Sequence, residues 1–223
     1  PFCCQSERAK GSLYAMISFE EARIWNMIEA IKARRSIRHF LPTPLIKEQL
    51  EEIVRAGMAA PSAKNLQPWH FVVTEGKAKE RVCAAMEAGI ERERHSPMLP
   101  NTRHYLDGAF ETLRVMREAA AVILITSPIA RPLSATMTLD QRVTEICTSQ
   151  SVGAAIENMC LQATALGIGS LWICDSFFAQ AELRAEAGGD SELYALLALG
   201  YAAEAPAAGP RRALSETTEW RTE

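Results

Sequence analysis

The longest patterned stretch of the sequence, residues 138–174, reads TLDQRVTEICTSQSVGAAIENMCLQATALGIGSLWIC. Its first part predicts a helix over residues 138–166, because apolar residues recur there at helical spacing. The positions predicted to share the inward face are Ile146, Val152, Ile156, Met159, Ala163 and Leu166. Gly167 suits the left-handed backbone that ends many helices, and the apolar run Leu171–Cys174 predicts a strand. A long helix, a glycine cap and a strand are thus expected in immediate succession.

Patterned segments on either side predict further elements. The predicted strands are His70–Thr74, Ala121–Thr126 and Glu192–Tyr201, of which the second is a continuous apolar run typical of a buried strand. The predicted helices cover Phe19 to roughly Ala33, about a dozen residues between Pro44 and Pro61, and Lys77 to about Gly89. Ser18 and Glu21 form a capping box for the first of these helices.

The remaining segments predict less regular structure. Residues 1–17 show no period and predict a flexible arm, whereas residues 91–118 are charged and predict a mobile excursion followed by a helix. An extended tail is expected from residue 202. Because no clean domain boundary is present, residues 18–223 are predicted to form a single domain.

Composition excludes several classes of protein. The chain has 223 residues, of which 48% are hydrophobic, so a sizeable core is available. A formal net charge of -3 argues against a protein that coats nucleic acid. No apolar stretch is long enough to span a bilayer, and the beginning of the chain lacks a signal-peptide pattern. A cytoplasmic protein is therefore expected, without nucleic-acid or membrane partners.

The cysteines and histidines predict neither a disulfide framework nor a metal site. Six cysteines are present without a C-x-x-C pair, and the four histidines have no ligand spacing. The cysteines are interpreted as reduced thiols that act as small core residues. Cys174, at the end of a predicted strand, has no visible base or cause of a low pKa, so its side chain is expected to be a buried structural thiol.

The basic segment Arg34-Arg35-Ser36-Ile37-Arg38 is the first candidate for binding chemistry. Guanidinium groups offer a planar fork of donors that matches a phosphate. The alternative is a solvated basic helix end, and taken alone the segment favours that alternative. Arg35 is the first of the three arginines expected to stay in solvent.

Three further segments carry weaker signals when each is taken alone. The loop Pro61-Ser62-Ala63-Lys64-Asn65 presents small and polar residues to a ligand, or is an ordinary helix-to-strand connection. Gly167-Ile168-Gly169 contains G-x-G, but it precedes a strand, which excludes a Rossmann dinucleotide site. Pro210-Arg211-Arg212 is either a ligand-binding end or a disordered basic tail.

In order and spacing, these segments together resemble the FMN-dependent nitroreductase family. The matching motifs are Arg34 to Arg38, Ala60 to Trp69, Gly167 to Ile173, Gly200-Tyr201 and Pro210 to Arg212. The resemblance runs from about residue 25 to the C-terminus and omits residues 91–118. It implies an α+β nitroreductase-like fold, with a central mixed or antiparallel sheet flanked by helices and with long central helices that form a homodimer.

The resemblance also implies two FMN sites at the subunit interface. Arg34 and Ser36 are expected at the phosphate and ribityl end with Arg211 or Arg212, and Arg38 at the pyrimidine edge of the flavin. Arg35 belongs to the same cofactor-binding motif and is the arginine of it that is first expected to stay in solvent. Two segments are expected around the ring. The partner subunit is expected to contribute Pro61, Ser62, Ala63 and Asn65. The same subunit is expected to contribute Trp172, Ile173, Cys174 and Asp175, with a backbone amide near flavin N5. Cys174 and Asp175 depart from relatives that carry Glu-Gly or Thr, so the resemblance implies a backbone contact at these positions and no side-chain role.

The implied activity is hydride transfer from NADH or NADPH to FMN, followed by reduction of a small electron-poor acceptor such as a nitroaromatic or a quinone, in a ping-pong mechanism. No side-chain nucleophile or general acid is assigned. Substrate choice is expected to depend on residues 91–118. Four alternatives remain: a reductive dehalogenase or a flavin-fragmenting enzyme of the same fold, a non-catalytic flavin carrier, and a nucleic-acid module, which the acidic net charge disfavours.

Overall fold

The computed structural model describes residues 29–98 and 104–222. The predicted arm at residues 1–17, and the helix predicted from Phe19 except for its last residues, lie outside the described residues. Residues 29–33 are helical and form α1, which ends at the residue before Arg34. The basic segment therefore begins where a helix ends, as predicted.

A four-stranded antiparallel sheet lies at the centre of the described chain. Its strands are β1 (His70–Glu75), β2 (Ala121–Ser127), β3 (Gly169–Ile173) and β4 (Glu192–Gly200), in the order β1-β2-β4-β3. The pairs β1–β2, β2–β4 and β3–β4 are all antiparallel. Each of the four strands had been predicted within one or two residues of its bounds.

Helices cover both faces of this sheet. After α1 they are α2 (Lys47–Met58), α3 (Gly76–His95), α4 (Leu106–Glu118), α5 (Leu139–Ala165), α6 (Gln180–Glu186) and α7 (Leu214–Thr217), with 3-10 turns at Ala63–Asn65 and Asp175–Ala179. The long helix α5 ends at a glycine cap, since Gly167 has a φ of +72°. Among the described residues, no helix is both long enough and apolar enough to cross a membrane.

The central strand β2 separates two hydrophobic cores. Val122 and Leu124 pack into the core that α3 and α4 cover, whereas Ile123 and Ile125 pack into the core that α2 and α5 cover. All seven residues of β2 are buried. An antiparallel strand covered on both faces needs apolar residues at every position, which explains the continuous apolar run.

Four predictions about these elements were wrong. Helix α3 continues to His95, so the excursion does not begin at residue 91. Strand β3 begins at Gly169 and ends at Ile173, which leaves Cys174 outside it. Cys174 is exposed instead of buried, because it lies beyond the strand that is covered by the core. Ile146 is 52% exposed, because the described chain leaves this side of the first half of α5 uncovered.

Backbone pairing attaches the basic segment to the sheet. Ser36 forms a parallel bridge with Ser170 of β3, and the Ile37 amide donates to the Ser170 carbonyl over 2.9 Å. Gly169 permits this close approach, since a Cβ at that position would lie 3.0–3.1 Å from Ile37 side-chain atoms. The segment is therefore held against the beginning of the strand that leads to Trp172.

Candidate functional site

Among the arginines of the basic segment, Arg34 has the side chain that is best placed to bind an anion. Its backbone amide donates to Ala30 of α1, and its Nε lies 3.2 Å from Glu157 Oε1 of α5. Its side chain is 27% exposed. No other side-chain hydrogen bond or ion pair of Arg34 occurs among the described residues, so both terminal amino groups remain available to an anion.

Arg35 is engaged in a different way. Its Nη1 donates to the Lys32 carbonyl over 2.6 Å and to the Arg34 carbonyl over 2.8 Å, which satisfies carbonyls at the end of α1. Arg35 also lines a separate cavity of about 310 Å³ between Gly167–Gly169 and the tail residues 202–206. Its contacts are those of a helix cap, and its expected role in cofactor binding stays a prediction.

The C-terminal tail is anchored beside Arg38. The Glu204 carboxylate accepts hydrogen bonds from the backbone amides of Arg38 and His39, with lengths of 2.5 and 3.2 Å to Oε1. The Ala203 amide donates to the His39 carbonyl over 2.9 Å. These bonds hold the start of the tail against the basic segment, while the Arg38 side chain itself stays exposed.

The tail arginines are not brought to Arg34 in this chain. Arg211 and Arg212 are exposed, and the Arg211 guanidinium donates to the carbonyls of Gly209 and Pro210. No hydrogen bond or ion pair joins either arginine to Arg34 or Ser36 within the described ranges. Their part in phosphate binding therefore remains an expectation of the family resemblance.

The end of β3 forms an exposed edge next to α5. The Trp172 side chain is exposed, and a Cβ at Gly153 of α5 would lie 3.5 Å from its ring. Pairing between β3 and β4 ends at Ile173 with Leu196, so the amides of the next two residues lie beyond the ladder. A flat ligand placed against this edge would meet backbone that the sheet does not use.

Two cysteines near the site have raised pKa values. Cys174 is exposed as a residue, but partial burial of its thiol raises the pKa, and the neighbouring Asp175 carboxylate raises it further. Burial raises the pKa of Cys160 to about 11, against the lowering effect of a hydrogen bond with Ser170. Both groups are protonated thiols at neutral pH, so neither is prepared to act as a nucleophile.

The loop at residues 61–67 contains unusual backbone conformations. Lys64, Asn65 and Gln67 have φ values of +54°, +56° and +47°. Such left-handed residues are rare outside glycine and cluster at functional sites. The loop is held by a hydrogen bond from the Ala63 amide to Ser151 Oγ of α5, 3.2 Å long, and by one from the Gln67 amide to Ser62 Oγ.

Helix α5 separates the predicted site residues into two groups. It contacts the loop through Ser151, the Trp172 ring at Gly153 and Arg34 through Glu157. With 3.6 residues per turn, Ser151 points about 160° away from Gly153 and about 120° away from Glu157. Within one chain, Ser62–Asn65 therefore lie on the other side of α5 from Arg34 and Trp172.

Sequence reasoning did not single out the polar residues that hold these groups in place. Glu157, Glu204 and Ser151 are ordinary surface-type residues in the sequence, and no motif includes them. Glu157 is four residues after Gly153, a spacing that places both on one face of α5. That spacing is the single sequence signal for its proximity to Trp172 and Arg34.

Comparisons with known proteins agree with this architecture. The model of the nitroreductase family matches residues 31–201. Nitroreductase NfnB of Mycolicibacterium smegmatis is 28% identical over 219 residues, which cover 85% of this chain and 90% of that protein. The chain belongs to the nitroreductase family.

Solved structures show the same fold. A BluB-like flavoprotein from Clostridium difficile 630 has a TM-score of 0.70 and 26% identity, covering 87% of this chain and 98% of that one. The FMN-dependent nitroreductase NfnB from Mycobacterium smegmatis, solved in complex with NADPH, has a TM-score of 0.67 and 24% identity, covering 89% of this chain and 99% of that one. The predicted α+β nitroreductase-like fold is confirmed.

Proposed function

We propose that this chain reduces electron-poor small molecules, such as nitroaromatics or quinones, with electrons that NADH or NADPH delivers through bound FMN in a ping-pong sequence. The broader statement rests on family membership: the chain is an NAD(P)H-dependent FMN oxidoreductase. The acceptor class and the order of steps are the proposal. The observation that carries it is that the partly exposed Arg34 and the exposed end of β3 lie on the same side of α5.

The donor set at the basic segment fits the phosphate of FMN. Arg34 keeps both terminal amino groups available, and arginine binds phosphate through two parallel hydrogen bonds. Ser36 adds a partly exposed hydroxyl next to the bridge with Ser170. Arg38 is exposed and places a positive charge farther along the same segment. Arg34 and Ser36 would hold the phosphate and ribityl end, and Arg38 would lie at the pyrimidine edge.

The edge of β3 fits an aromatic ring system. Trp172 is 39% exposed, and Cys174 and Asp175 follow the last paired residue of the strand. When bound, FMN supplies the two-electron chemistry, while the chain binds and orients it. Arg38 would supply a positive charge beside the pyrimidine end of the ring, where it would stabilise negative charge on the reduced flavin. The Trp172–Asp175 backbone would orient the opposite edge.

A homodimer is the second part of the proposal. Because α5 separates Ser62–Asn65 from Arg34, a second copy of the chain is needed to bring this loop to the site. The first half of α5 offers an uncovered apolar stripe for that contact, with Leu139, Val143 and Ile146 exposed at helical spacing. Exposed apolar stripes of this kind mark protein–protein contacts. The partner's loop would then cover the ring from outside.

Two measurements test the proposed function. The purified protein is expected to carry a flavin absorbance band, and anaerobic stopped-flow mixing with NADH or NADPH is expected to bleach it. A nitroaromatic or a quinone added in a second mix should then restore the band. A flavin band that neither nicotinamide bleaches would contradict the proposal and favour a flavin carrier. A colourless protein retained by DNA at low salt would contradict it as well.

Light scattering tests the dimer. The expected mass is twice that of the chain, and Val143→Glu is expected to shift it toward the monomer and to release FMN at the same time. A monomer that keeps FMN would refute the shared site.

A further inference from the structure

The ion pair between Arg34 and Glu157 is the one charged contact of Arg34 in the described structure, with 3.2 Å between Nε and Oε1. Glu157 uses the Nε edge of the guanidinium and not its outer edge. The two terminal amino groups are therefore left together for a bidentate ligand. An arginine without such a partner samples many rotamers, because its side chain is among the most flexible in proteins.

Glu157 stands on a rigid part of α5. Ala155, Ile156 and Met159 are at most 1% exposed, and they fix the helix backbone on both sides of Glu157. The Glu157 side chain is 43% exposed and reaches Arg34 from the uncovered side of the helix. The pair therefore connects the end of α1, where Arg34 lies, to the part of the helix that is most firmly packed on the sheet.

The same face of α5 positions the other end of the site. Gly153 lies one turn before Glu157 and approaches the Trp172 ring. Glu157 thus fixes Arg34 relative to the helix that also borders Trp172. The separation between the anion-binding end and the ring-binding edge is then set by a single helix turn.

We infer that Glu157 is a positioning residue that holds the Arg34 guanidinium with its outer edge toward the phosphate of the flavin. The inference rests on the proposed function and adds a specificity determinant to it. Because Glu157 acts through Arg34, it affects only the phosphate end of the ligand. It therefore contributes to the preference for FMN over riboflavin, which has the same ring and ribityl chain without the phosphate.

The oxygen that lies 3.2 Å from Arg34 Nε, and not the negative charge, is the property of Glu157 that matters for this role. A carboxylate beside a phosphate site repels the ligand, so its negative charge alone would weaken FMN binding. A glutamine keeps an oxygen at the same place beside Arg34 Nε and removes the repulsion. Glu157→Gln is therefore expected to preserve the role, whereas Glu157→Ala is expected to remove it.

The test is titration of the flavin-free protein with FMN and, separately, with riboflavin, followed by quenching of flavin fluorescence. Glu157→Ala is expected to raise the Kd for FMN about 5- to 10-fold, the effect of losing one polar contact that orients Arg34, and to leave the Kd for riboflavin within about twofold. Glu157→Gln is expected to leave both within about twofold. Glu51→Ala is the matched control, because Glu51 forms exposed ion pairs with Lys47 and Arg55 on α2.

Each other outcome overturns the inference. Equal weakening of FMN and riboflavin by Glu157→Ala would indicate a structural role. Unchanged or tighter FMN binding would show that Glu157 does not position Arg34, and equal losses in the alanine and glutamine variants would show that the charge is what matters. If the unmodified protein binds neither flavin, the proposed function fails together with the inference. If it binds FMN and only the variants behave otherwise, the proposed function stands and the inference alone fails.

Discussion

Asp175 accepts a hydrogen bond from Thr112, with 2.7 Å between Oδ2 and Oγ1. Thr112 belongs to α4, and Asp175 lies two residues after the end of β3. The contact attaches this helix to the strand end at which the flavin ring is proposed to bind. This side-chain pair is therefore one route by which changes in α4 can reach the site.

Replacement of Thr112 by valine tests this contact. Thr112→Val keeps the shape of the side chain but removes the donor, so the free energy of unfolding is expected to fall by about 1–2 kcal/mol. Urea denaturation measures the change. Thr112→Ser keeps the hydroxyl, so its free energy of unfolding is expected to fall by less, even though serine lacks the methyl group. If the serine and valine variants are equally destabilised, the hydrogen bond is not the cause.

Arg34 and Arg35 form a matched pair for FMN binding. Arg34→Ala removes the cation with free amino groups and is expected to weaken FMN binding by about 1.5–3 kcal/mol. Arg35→Ala removes a guanidinium that bonds carbonyls of Lys32 and Arg34, so FMN affinity is expected to change little. Fluorescence titration of both variants measures the difference. Equal loss in both would show that Arg35 also contacts the ligand.

Ser151 anchors the strained loop. Its hydroxyl accepts from the Ala63 amide and donates to the Cys147 carbonyl, so Ser151→Ala leaves the amide without this partner. We expect a loss of about 1–2 kcal/mol in the free energy of unfolding.

Thr144→Ala is the control for this variant. The Thr144 hydroxyl is exposed and, among the residues that the structure describes, bonds only the Asp140 carbonyl of its own helix. Its removal is expected to change stability by less than about 0.5 kcal/mol. Chemical denaturation compares the two, and a similar loss in both would mean that the loop contact contributes nothing.

Gly89 allows α3 to approach the turn after β3. A Cβ at Gly89 would overlap the Cα and Cβ of Ala179 and lie 2.9 Å from the Phe178 carbonyl oxygen. Gly89→Ala is therefore expected to lower the free energy of unfolding by about 3 kcal/mol or more, the upper range for overpacking.

Gly108 of α4 is the matched position without crowding. No atom lies within 4 Å of a Cβ added there, so Gly108→Ala is expected to raise the free energy of unfolding by about 0.5–1 kcal/mol. Thermal and urea unfolding test both, and a neutral Gly89→Ala would contradict the packing described.

The thiols predict a pattern of alkylation. Cys174 is exposed and its pKa is raised, so iodoacetamide is expected to react slowly at pH 7 and about tenfold faster per pH unit until the thiol ionises. Asp175→Asn removes a negative charge that opposes the thiolate, so it should lower the pKa of Cys174 and speed the reaction at pH 8.

Cys160 is buried with a pKa of about 11 and should stay unmodified in the folded protein. Peptide mass spectrometry resolves the sites, and a slower Asp175→Asn variant would contradict this electrostatic account.

The order of the local elements was readable without coordinates. The continuous apolar run that became β2, the helical period of α5 and the glycine cap at Gly167 depend on neighbouring residues, so the sequence predicted them within a few positions. The motifs from Arg34 to Arg38 and from Gly167 to Ile173 likewise identified the family, because their spacing follows the chain. The family model and the solved relatives confirmed that part.

Contacts between distant segments were decided only by the tertiary structure. The spacing of α5 placed Ile146 inward, but burial depends on what another element covers, and nothing in the described chain covers the side of α5 on which Ile146 lies. Arg34 and Arg35 are adjacent and chemically alike. In the folded chain, however, the Arg34 side chain lies against Glu157, whereas the Arg35 side chain donates back to a carbonyl at the end of α1. The sequence shows which side chains are present and at what spacing they recur along the chain. Which of them meet depends on the packing of elements far apart in the chain, and that packing alone selected Glu157 as the partner of Arg34.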